Sequence, residues 1–456
     1  MNPTRLQQRA KALAVGVGLA AILLPSLACP AFDPEFGEIG VPEVRSVREQ
    51  AAQMDAIVEL RLAQLLGPAM RSSQVDCWVI VWEAENRDPL VPFLALAGTA
   101  PDGRAVLLLC ADESGGSTRV ALGNGLEANA GLYDLAEVAD EDLGSAMAER
   151  VAALDPSRIA VNRSPGRPYA DGLSASNEAW LRQALGASLS DRIVPSGPFV
   201  EAWLGRHLDV EAPLFSEAAR LTVGLLEQVL SDEYIVAAGT SVSELTWAAR
   251  QRARDMGLTI AVPPQVYLQR GGPALGDAGA AGLDVLLQTG DLIFLTVGIE
   301  YLGCVTHYGR WVYMLHEEER QAPEWVLEGL STVADELEAA LPKLRSGLGA
   351  ERMSGSFAEG PESGFASSIA VGRVGYLVDR GVMSTQASPG PSFAMLWQAE
   401  PALQPGSLVA VRVSRGHAEA SWQEAGVWIA SLENIIVGEE GARLLVPAQR
   451  VPYLID

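Results

Sequence analysis

A segment near the middle of the chain has the pattern of a β-hairpin that carries metal ligands. It runs from Thr289 to Leu315, reads TGDLIFLTVGIEYLGCVTHYGRWVYML, and contains two runs rich in apolar and β-branched residues. The carboxylates that would hold a metal are absent, and His307 is the single imidazole in the segment. A single imidazole can be a ligand of one metal ion, but it cannot bridge a pair of metal ions. The hairpin therefore has the frame of a metal site without its ligands.

A mononuclear zinc site is one alternative. His307, His417, Glu419 and Glu433 have side chains that zinc accepts as ligands. No helical or hairpin spacing brings these four residues together, so the sequence favours structural roles for them. His207 is expected at the surface.

No other signature of nucleophilic or nucleotide chemistry occurs: there is no G-x-S-x-G, no P-loop and no dinucleotide turn in a βαβ context. The four cysteines include no CxxC pair and no zinc spacing. Cys77 and Cys110 lie in apolar, strand-like runs. Either a disulfide between them or two buried free thiols fits this pattern.

The first 28 residues predict an export signal, with three cations before a short apolar run and small residues after it. Cleavage after Ala28 is the simplest prediction. A lipid anchor on Cys29 is the alternative, because SLAC resembles a bacterial lipobox, although Ser26 stands where that motif prefers Leu. No later run is long enough to span a bilayer, so we expect membrane contact only through such an anchor. The expected location is periplasmic, secreted or lipid-anchored.

The chain has 456 residues, 48% of them apolar, and a formal charge of −24. Removal of the signal takes away three cations and no anions, which gives −24 − 3 = −27 for the mature chain. Such an acidic chain is a poor partner for nucleic acid. Its length predicts two domains, over residues 45–205 and 206–456, after a linker over residues 29–44.

The pattern of apolar residues differs between the two halves. Apolar residues at helical spacing predict a helix from Val44 to Leu66, and the runs VDCWVIVWE, RAVLLLCADE and RIAVN predict strands around a helix EDLGSAMAERVAAL. This alternation favours an α/β fold. The second half combines three amphipathic helices with hairpins and strand-rich ends, which favours an α+β fold. Ser216 is the expected N-cap of the first of these helices.

Six segments in order carry a resemblance to a known family. They are IAVNRSPGRPYADGL in the first half, then AAGTSVSEL, PPQVYLQRGG, TGDLIFLTVGIEYLG, LRSGLGAERM and ENIIVGEEGARLL. Over about residues 45–456 the chain resembles the Xaa-Pro aminopeptidase and creatinase family. This resemblance implies an α/β creatinase-like N-terminal domain followed by an α+β pita-bread domain, and a homodimer.

The resemblance also implies five positions for the ligands of two divalent ions such as Mn, Co or Zn. The two Asp positions fall on Thr296 and His307, and the His position falls on Ala387. The first Glu position falls on Arg412, and the last on Leu432 or, with a shift of one residue, Glu433. A neutral hydroxyl, a methyl group and a permanent cation cannot replace carboxylates around two metal ions.

Loss of the carboxylates together with gain of Arg412 rebalances the charge of a pocket that holds no metal. Glu433 is then expected to pair with Arg412 or to lie at the surface near a strand end. We therefore expect no cofactor and no catalytic residue, and a non-catalytic protein that binds a peptide or another anion near Arg412.

The alternative is an active metallo-aminopeptidase, or a metal-free amidinohydrolase, with a rearranged site. Creatinases work without metal through a histidine that precedes the hairpin. The corresponding stretch PPQVYLQRGGPALGDAGAAG contains none.

Overall fold

The computed structural model describes residues 40–112, 114–271, 285–347, 368–376, 403–417 and 427–456. Eight α-helices are named within this part of the chain: α1 Val47–Gln64, α2 Leu66–Ser72, α3 Asp140–Leu154, α4 Ala175–Ser190, α5 Gly197–Leu204, α6 Ala212–Val229, α7 Val242–Asp255 and α8 Glu324–Ala340.

The strands of the described residues form three sheets. Those of the first are β1 Cys77–Glu83, β2 Asp102–Ala111, β3 Ser117–Asn124, β4 Asp134–Ala136, β5 Ile159–Val161 and β6 Ile193–Pro195. Those of the second are β7 Thr259–Gln269, β8 Leu292–Tyr301, β9 Cys304–Val305, β10 Tyr308–Met314 and, at the end of the chain, β15 Tyr453–Ile455. Those of the third are β11 Ser368–Arg373, β12 Leu408–His417, β13 Val427–Val437 and β14 Ala442–Leu444.

The first sheet has the order β4-β3-β2-β1-β5-β6. Its central strands are continuous apolar runs because α3 and α4 cover one face and α2 and α5 contribute to the other. Strand β1 pairs antiparallel with β2 and parallel with β5. This mixed sheet confirms the predicted α/β fold of the first half. The exact domain boundary at residue 205 stays a prediction.

A disulfide joins Cys77 to Cys110, which stand directly opposite each other on β1 and β2. The sequence left this bond and two free thiols as alternatives, because the pairing of the strands was unknown. Cys304 is the buried free cysteine of the described residues.

The second and third sheets form the α+β part, as predicted. The order is β15-β10-β8-β7 in the second sheet, with β9 paired to β8, and β11-β12-β13-β14 in the third. Helices α6 and α7 pack on the second sheet and α8 packs on the third. The side chains between β10 and β13 are buried, and this space contains the candidate site.

Local sequence sets the ends of several helices. The predicted helix from Val44 to Leu66 is α1, which begins with a capping box between Ser46 and Glu49. A second box, between Ser241 and Glu244, begins α7. The expected N-cap at Ser216 is wrong: α6 begins at Ala212, and the Ser216 hydroxyl donates to the Ala212 carbonyl within the helix.

The segment before α1 lies across α6. Arg45 donates to both carboxylate oxygens of Glu217, at 2.9 and 2.6 Å, and its backbone N–H donates to the Tyr301 hydroxyl. A Cβ on Gly224 would lie 2.4 Å from a methyl carbon of Val41, so glycine at this point of α6 allows the close approach. We call residues 40–46 the N-terminal strap. None of the helices described here is long and apolar enough to cross a bilayer.

Candidate functional site

Strand β8 places Thr296 inside the molecule. Thr296 stands opposite Gly309 on β10 and Gln265 on β7, and its side chain has no exposed surface. Within the described part of the chain its hydroxyl makes no hydrogen bond. A neutral buried hydroxyl offers a metal ion no charge.

His307 lies just before β10 and is 7% exposed. Its backbone N–H donates to the Asn434 side-chain oxygen at 3.0 Å, and the Asn434 amide donates back to its carbonyl at 2.7 Å. Burial, with a further contribution from the Arg412 charge, lowers the pKa of His307 to about 4. The imidazole is therefore neutral near pH 7.

Arg412 lies in the middle of β12, opposite Leu432 on β13, and is 4% exposed. Its guanidinium carbon lies 5.6 Å from the ring centroid of Trp428, within the range of a cation–π interaction. Burial lowers the pKa of Arg412 to about 10, so it is charged at neutral pH. A cation is thus present at the position of the first Glu implied by the family resemblance.

Four aromatic rings fill the space beside Arg412. Tyr267, Phe294 and Trp311 stand directly opposite one another on β7, β8 and β10. Phe294 stacks on Trp311 with centroids 4.6 Å apart, and Trp428 from β13 packs 5.1 Å from Trp311. A Cβ on Gly309 would lie 2.2 Å from the Phe294 ring, so this glycine makes room for it. We call Tyr267, Phe294, Trp311 and Trp428 the aromatic floor.

Glu433 does not pair with Arg412, and it does not lie at the surface as the sequence analysis allowed. Arg412 stands opposite Leu432 and Glu433 opposite Val411, and neighbouring residues of a strand point to opposite faces. Glu433 is fully buried and accepts two hydrogen bonds from Arg310 of β10, at 2.8 and 3.2 Å. Burial raises the pKa of Glu433 against the lowering effect of Arg310.

The alternative zinc site from His307, His417, Glu419 and Glu433 is not formed by the described members of this set. Glu433 stands opposite Val411, and His417 lies six residues further along β12, a separation of roughly 20 Å along the strand. Glu419 lies outside the described residues, as do Ala387 and Cys29. Among the described residues there is no cluster of three histidine, cysteine, aspartate or glutamate side chains able to hold a metal ion.

His207 is buried rather than at the surface, with 8% exposure. Its Nδ1 atom hydrogen-bonds the Gly406 carbonyl, and its ring packs against Phe215 and Tyr376 with centroids 4.7 and 5.2 Å apart. Burial lowers the pKa of His207 to about 4. The sequence pattern gave no sign of this because two of its partners, Tyr376 and Gly406, lie far away along the chain.

The donors that the described residues provide do not fit two divalent ions. Thr296 is neutral, Leu432 is apolar, and the Glu433 carboxylate is held by Arg310. The Arg412 cation would repel an ion placed beside it. Within the described part of the chain, this space is therefore filled by side chains that do not form a set of ligands for two metal ions.

Arg310, Asn434 and the aromatic floor were not predicted from the sequence. Each belongs to a strand that was predicted, in the runs VYLQR, LIFLTV, RWVYML and VWIASLEN. The available signal was one or two aromatic residues in each of these runs, and nothing in their spacing showed that four of them meet.

The structure is similar to solved members of the pita-bread family. The X-Pro aminopeptidase from Thermotoga maritima MSB8 matches with a TM-score of 0.57 and 16% identity over 85% of this chain and 100% of that chain. The Xaa-Pro dipeptidase from Bacillus anthracis has a TM-score of 0.55 and 16% identity over 89% and 100%. A dipeptidase from Pyrococcus horikoshii OT3 has a TM-score of 0.54 and 16% identity over 87% and 100%.

No family model matches the sequence, and no curated protein matches it. The resemblance seen in the sequence is confirmed at the level of fold: the chain has the pita-bread fold preceded by a creatinase-like α/β part. Fold alone does not assign an activity, which depends on the residues of the site.

Proposed function

We propose that this chain is an exported, non-hydrolytic protein with the fold of Xaa-Pro aminopeptidases. One observation carries the proposal: Arg412 and the aromatic floor occupy the space in which the family resemblance places metal ligands. Without a pair of ions there is no metal-bound water of lowered pKa to attack a peptide bond.

Turnover of Xaa-Pro dipeptides tests the loss of activity. The purified mature chain, assayed with manganese, cobalt or zinc, is expected to release no amino acid above a blank without enzyme. Turnover that a chelator abolishes would support the alternative of an active metallo-aminopeptidase. Turnover that survives chelation would support a metal-free peptidase, and turnover of creatine in place of the dipeptide would support a metal-free amidinohydrolase.

The proposed ligand is a peptide or another carboxylate-bearing anion that pairs with Arg412. The guanidinium is a buried cation, and a carboxylate is the anion that matches it through a bidentate contact. Binding of proline-containing dipeptides, measured by calorimetry, is expected to weaken when the carboxylate is amidated and in Arg412→Met. Equal affinity for both peptide forms would contradict this ligand class.

Export is supported by two features that are independent of the site. The first 28 residues have the order of a signal peptide, and the Cys77–Cys110 disulfide belongs to the kind of bond that persists in oxidising compartments. Fusion of residues 1–35 to a reporter is expected to direct it out of the cytoplasm. Membrane association that Cys29→Ser abolishes would assign a lipid anchor, and cytoplasmic retention would contradict export. A homodimer, as the family resemblance implies, completes the proposal.

A further inference from the structure

Short segments of the third sheet connect it to the second sheet. Residues 374–376 follow β11, and Gly375 exchanges two backbone hydrogen bonds with Val305 of β9, at 2.9 and 2.7 Å. Gly406 precedes β12, and its backbone N–H donates to the Val437 carbonyl of β13 at 2.7 Å. We call residues 374–376 and Gly406 the seam. The seam lies beside the two sheets that enclose the candidate site.

His207, between α5 and α6, packs against the seam at two points. Its Nδ1 atom hydrogen-bonds the Gly406 carbonyl, and its ring contacts Tyr376. A Cβ on Gly375 would lie 3.4 Å from the Nε2 atom of His207, and a Cβ on Gly406 would lie 2.9 Å from the His207 carbonyl oxygen. Both glycines have positive φ angles, 85° and 82°, which other residues rarely adopt. The backbone of the seam is therefore shaped to close on this histidine.

The second ring nitrogen of His207 has no partner within the described part of the chain. When Nδ1 carries the proton and donates to the Gly406 carbonyl, Nε2 carries a lone pair, and no polar group reaches it. A proton added to Nε2 would create a buried charge with a donor that lacks an acceptor, which is costly. The closed seam thus fits the neutral imidazole and disfavours the imidazolium.

The two charged groups closest to this ring are already paired with each other. Glu211, just before α6, accepts hydrogen bonds from Arg61 of α1 at 3.0 and 3.1 Å and a further one from the Leu208 backbone N–H. The Glu211 charge raises the pKa of His207 and the Arg61 charge lowers it, and burial lowers it more than either. Protonation of His207 would therefore place a second cation beside the buried guanidinium of Arg61.

The other titratable groups around His207 do not change charge in acid or face solvent. Burial raises the pKa of Tyr376 and that of Cys304, so both side chains are neutral below pH 7. Arg206 and Asp209, next to His207 along the chain, are exposed. Phe215, which packs on the ring from α6, carries no charge. Among these groups, His207 is the one whose buried form changes charge as the pH falls.

We propose that protonation of His207 opens the seam between the second and third sheets. Movement of residues 374–376 away from the ring gives Nε2 access to water, which supplies the acceptor that the closed form lacks. Above pH 6.5 the imidazole is neutral in both forms, so pH has no effect there. As the pH falls, the open form takes up the proton first and is favoured. This device does not rest on the proposed ligand or on export.

Hydrogen exchange tests the opening directly. The chain from residue 29 onward is exchanged at pH 7 and pH 4, and mass spectrometry follows peptides that contain the Val305 and Gly375 amides, which bond across the seam. After correction for the effect of pH on chemical exchange, we expect opening to be about 100-fold more frequent at pH 4. This ratio follows from a pKa of about 4 in the closed form and 6.5 in the open form.

Three variants and one reference helix serve as controls. His207→Gln cannot take up the proton and is expected to remove the pH dependence at the seam. His207→Phe, neutral and of similar size, repeats the test if the first variant does not fold. His316→Gln, at an exposed position, should behave as the unsubstituted chain. The amides of α3, in the first half of the chain, should keep their protection at both pH values.

Equal protection of the Val305 and Gly375 amides at pH 7 and pH 4 would overturn the proposal. The same conclusion would follow if a His207 variant lost as much protection in acid as the unsubstituted chain. A loss of equal size in α3 would show that acid unfolds the whole chain instead of opening the seam, and this comparison needs no variant. Metal content, turnover and peptide binding play no part in these measurements, so their outcome is separate from that of the proposed function.

Discussion

Asn434 exchanges two hydrogen bonds with the backbone of His307, accepting from its N–H and donating to its carbonyl. Two other amides do the same. Gln449 binds both backbone groups of Trp311, at 2.7 and 3.0 Å, and Gln269 binds both backbone groups of Trp428 at 2.9 Å. These three amides fix the segments that surround Arg412 and two of the rings of the aromatic floor. Hydrogen bonds therefore hold these segments in place in addition to packing.

Removal of the Asn434 amide is expected to destabilise the fold. Asn434→Ala leaves the buried N–H and carbonyl of His307 without partners, at a cost of about 2–4 kcal/mol in the free energy of unfolding. Denaturant unfolding measures this change, and Asn86→Ala at an exposed position serves as the control. A change below 0.5 kcal/mol, about the size expected for a surface substitution, would show that the bonds contribute little.

The effects of Arg310 and Glu433 on the stability of the fold are expected to depend on each other. Their side chains are 2% and 1% exposed, so removal of one partner leaves a buried, uncompensated charge. Arg310→Met and Glu433→Leu should each destabilise by about 3–5 kcal/mol. The double variant should be more stable than the sum of the two single effects predicts. Strictly additive losses in this cycle would mean that the two charges do not compensate each other.

The sequence predicted the strands of the site but not which side chains meet. The run VWIASLENIIV predicts β13, whereas the pairing of Arg412 with Leu432 requires the register between β12 and β13. A shift of one residue would place Glu433 on the face of Arg412, which is one of the two arrangements expected from the sequence, the other being a surface position near a strand end. Patterns of apolar residues specify strands and faces, but register depends on contacts that are distant in sequence.

The same limit explains the aromatic floor and His207. Tyr267, Phe294 and Trp311 form a row only because β7, β8 and β10 are neighbours in register. His207 is buried because residues 375–376 and Gly406 fold back onto it, 376 − 207 = 169 and 406 − 207 = 199 residues later along the chain. The fold itself was accessible from the sequence, since the order of six segments resembled a known family.

The aromatic floor is expected to contribute strongly to stability. Trp311 is 1% exposed, stacks on Phe294, and donates from Nε1 to the Ala430 carbonyl at 2.6 Å. Trp311→Ala should destabilise by about 3–5 kcal/mol because it creates a cavity in the core. Trp247→Ala removes the same side chain from the surface and should change stability by less than about 0.5 kcal/mol. Similar effects for the two variants would indicate that the floor is loosely packed.

His307 is expected to make the protein less stable in acid. Its pKa of about 4 in the folded state lies below the ordinary value of 6.5, so the unfolded chain takes up the proton first as the pH falls. The contribution of His307 to the free energy of unfolding is fully present above pH 6.5. As the pH falls from 6.5 to 4, this contribution decreases by up to about 3 kcal/mol. Asp88 has the opposite effect on stability in acid. Burial raises its pKa to about 6, so the folded state takes up this proton before the unfolded chain does as the pH falls.

Comparison of two variants isolates the contribution of His307. Unfolding of His307→Gln, measured from pH 7 to pH 4, should lose less stability than the unsubstituted chain loses over this range. His316→Gln, at an exposed position, should follow the unsubstituted chain. Parallel curves for all three proteins would contradict the assignment of a buried, neutral imidazole to His307.

Metal content is the most direct test of the central claim that Arg412 and the aromatic floor have replaced a metal site. The mature chain is purified without chelator, dialysed against manganese, cobalt or zinc and then against metal-free buffer, and analysed by mass spectrometry for bound metal. We predict less than 0.1 equivalent of any of these metals per chain, because Thr296, Leu432 and Arg412 supply no anionic ligand and Arg310 holds the carboxylate of Glu433. Two equivalents per chain, retained through dialysis and removed by a chelator, would contradict the account.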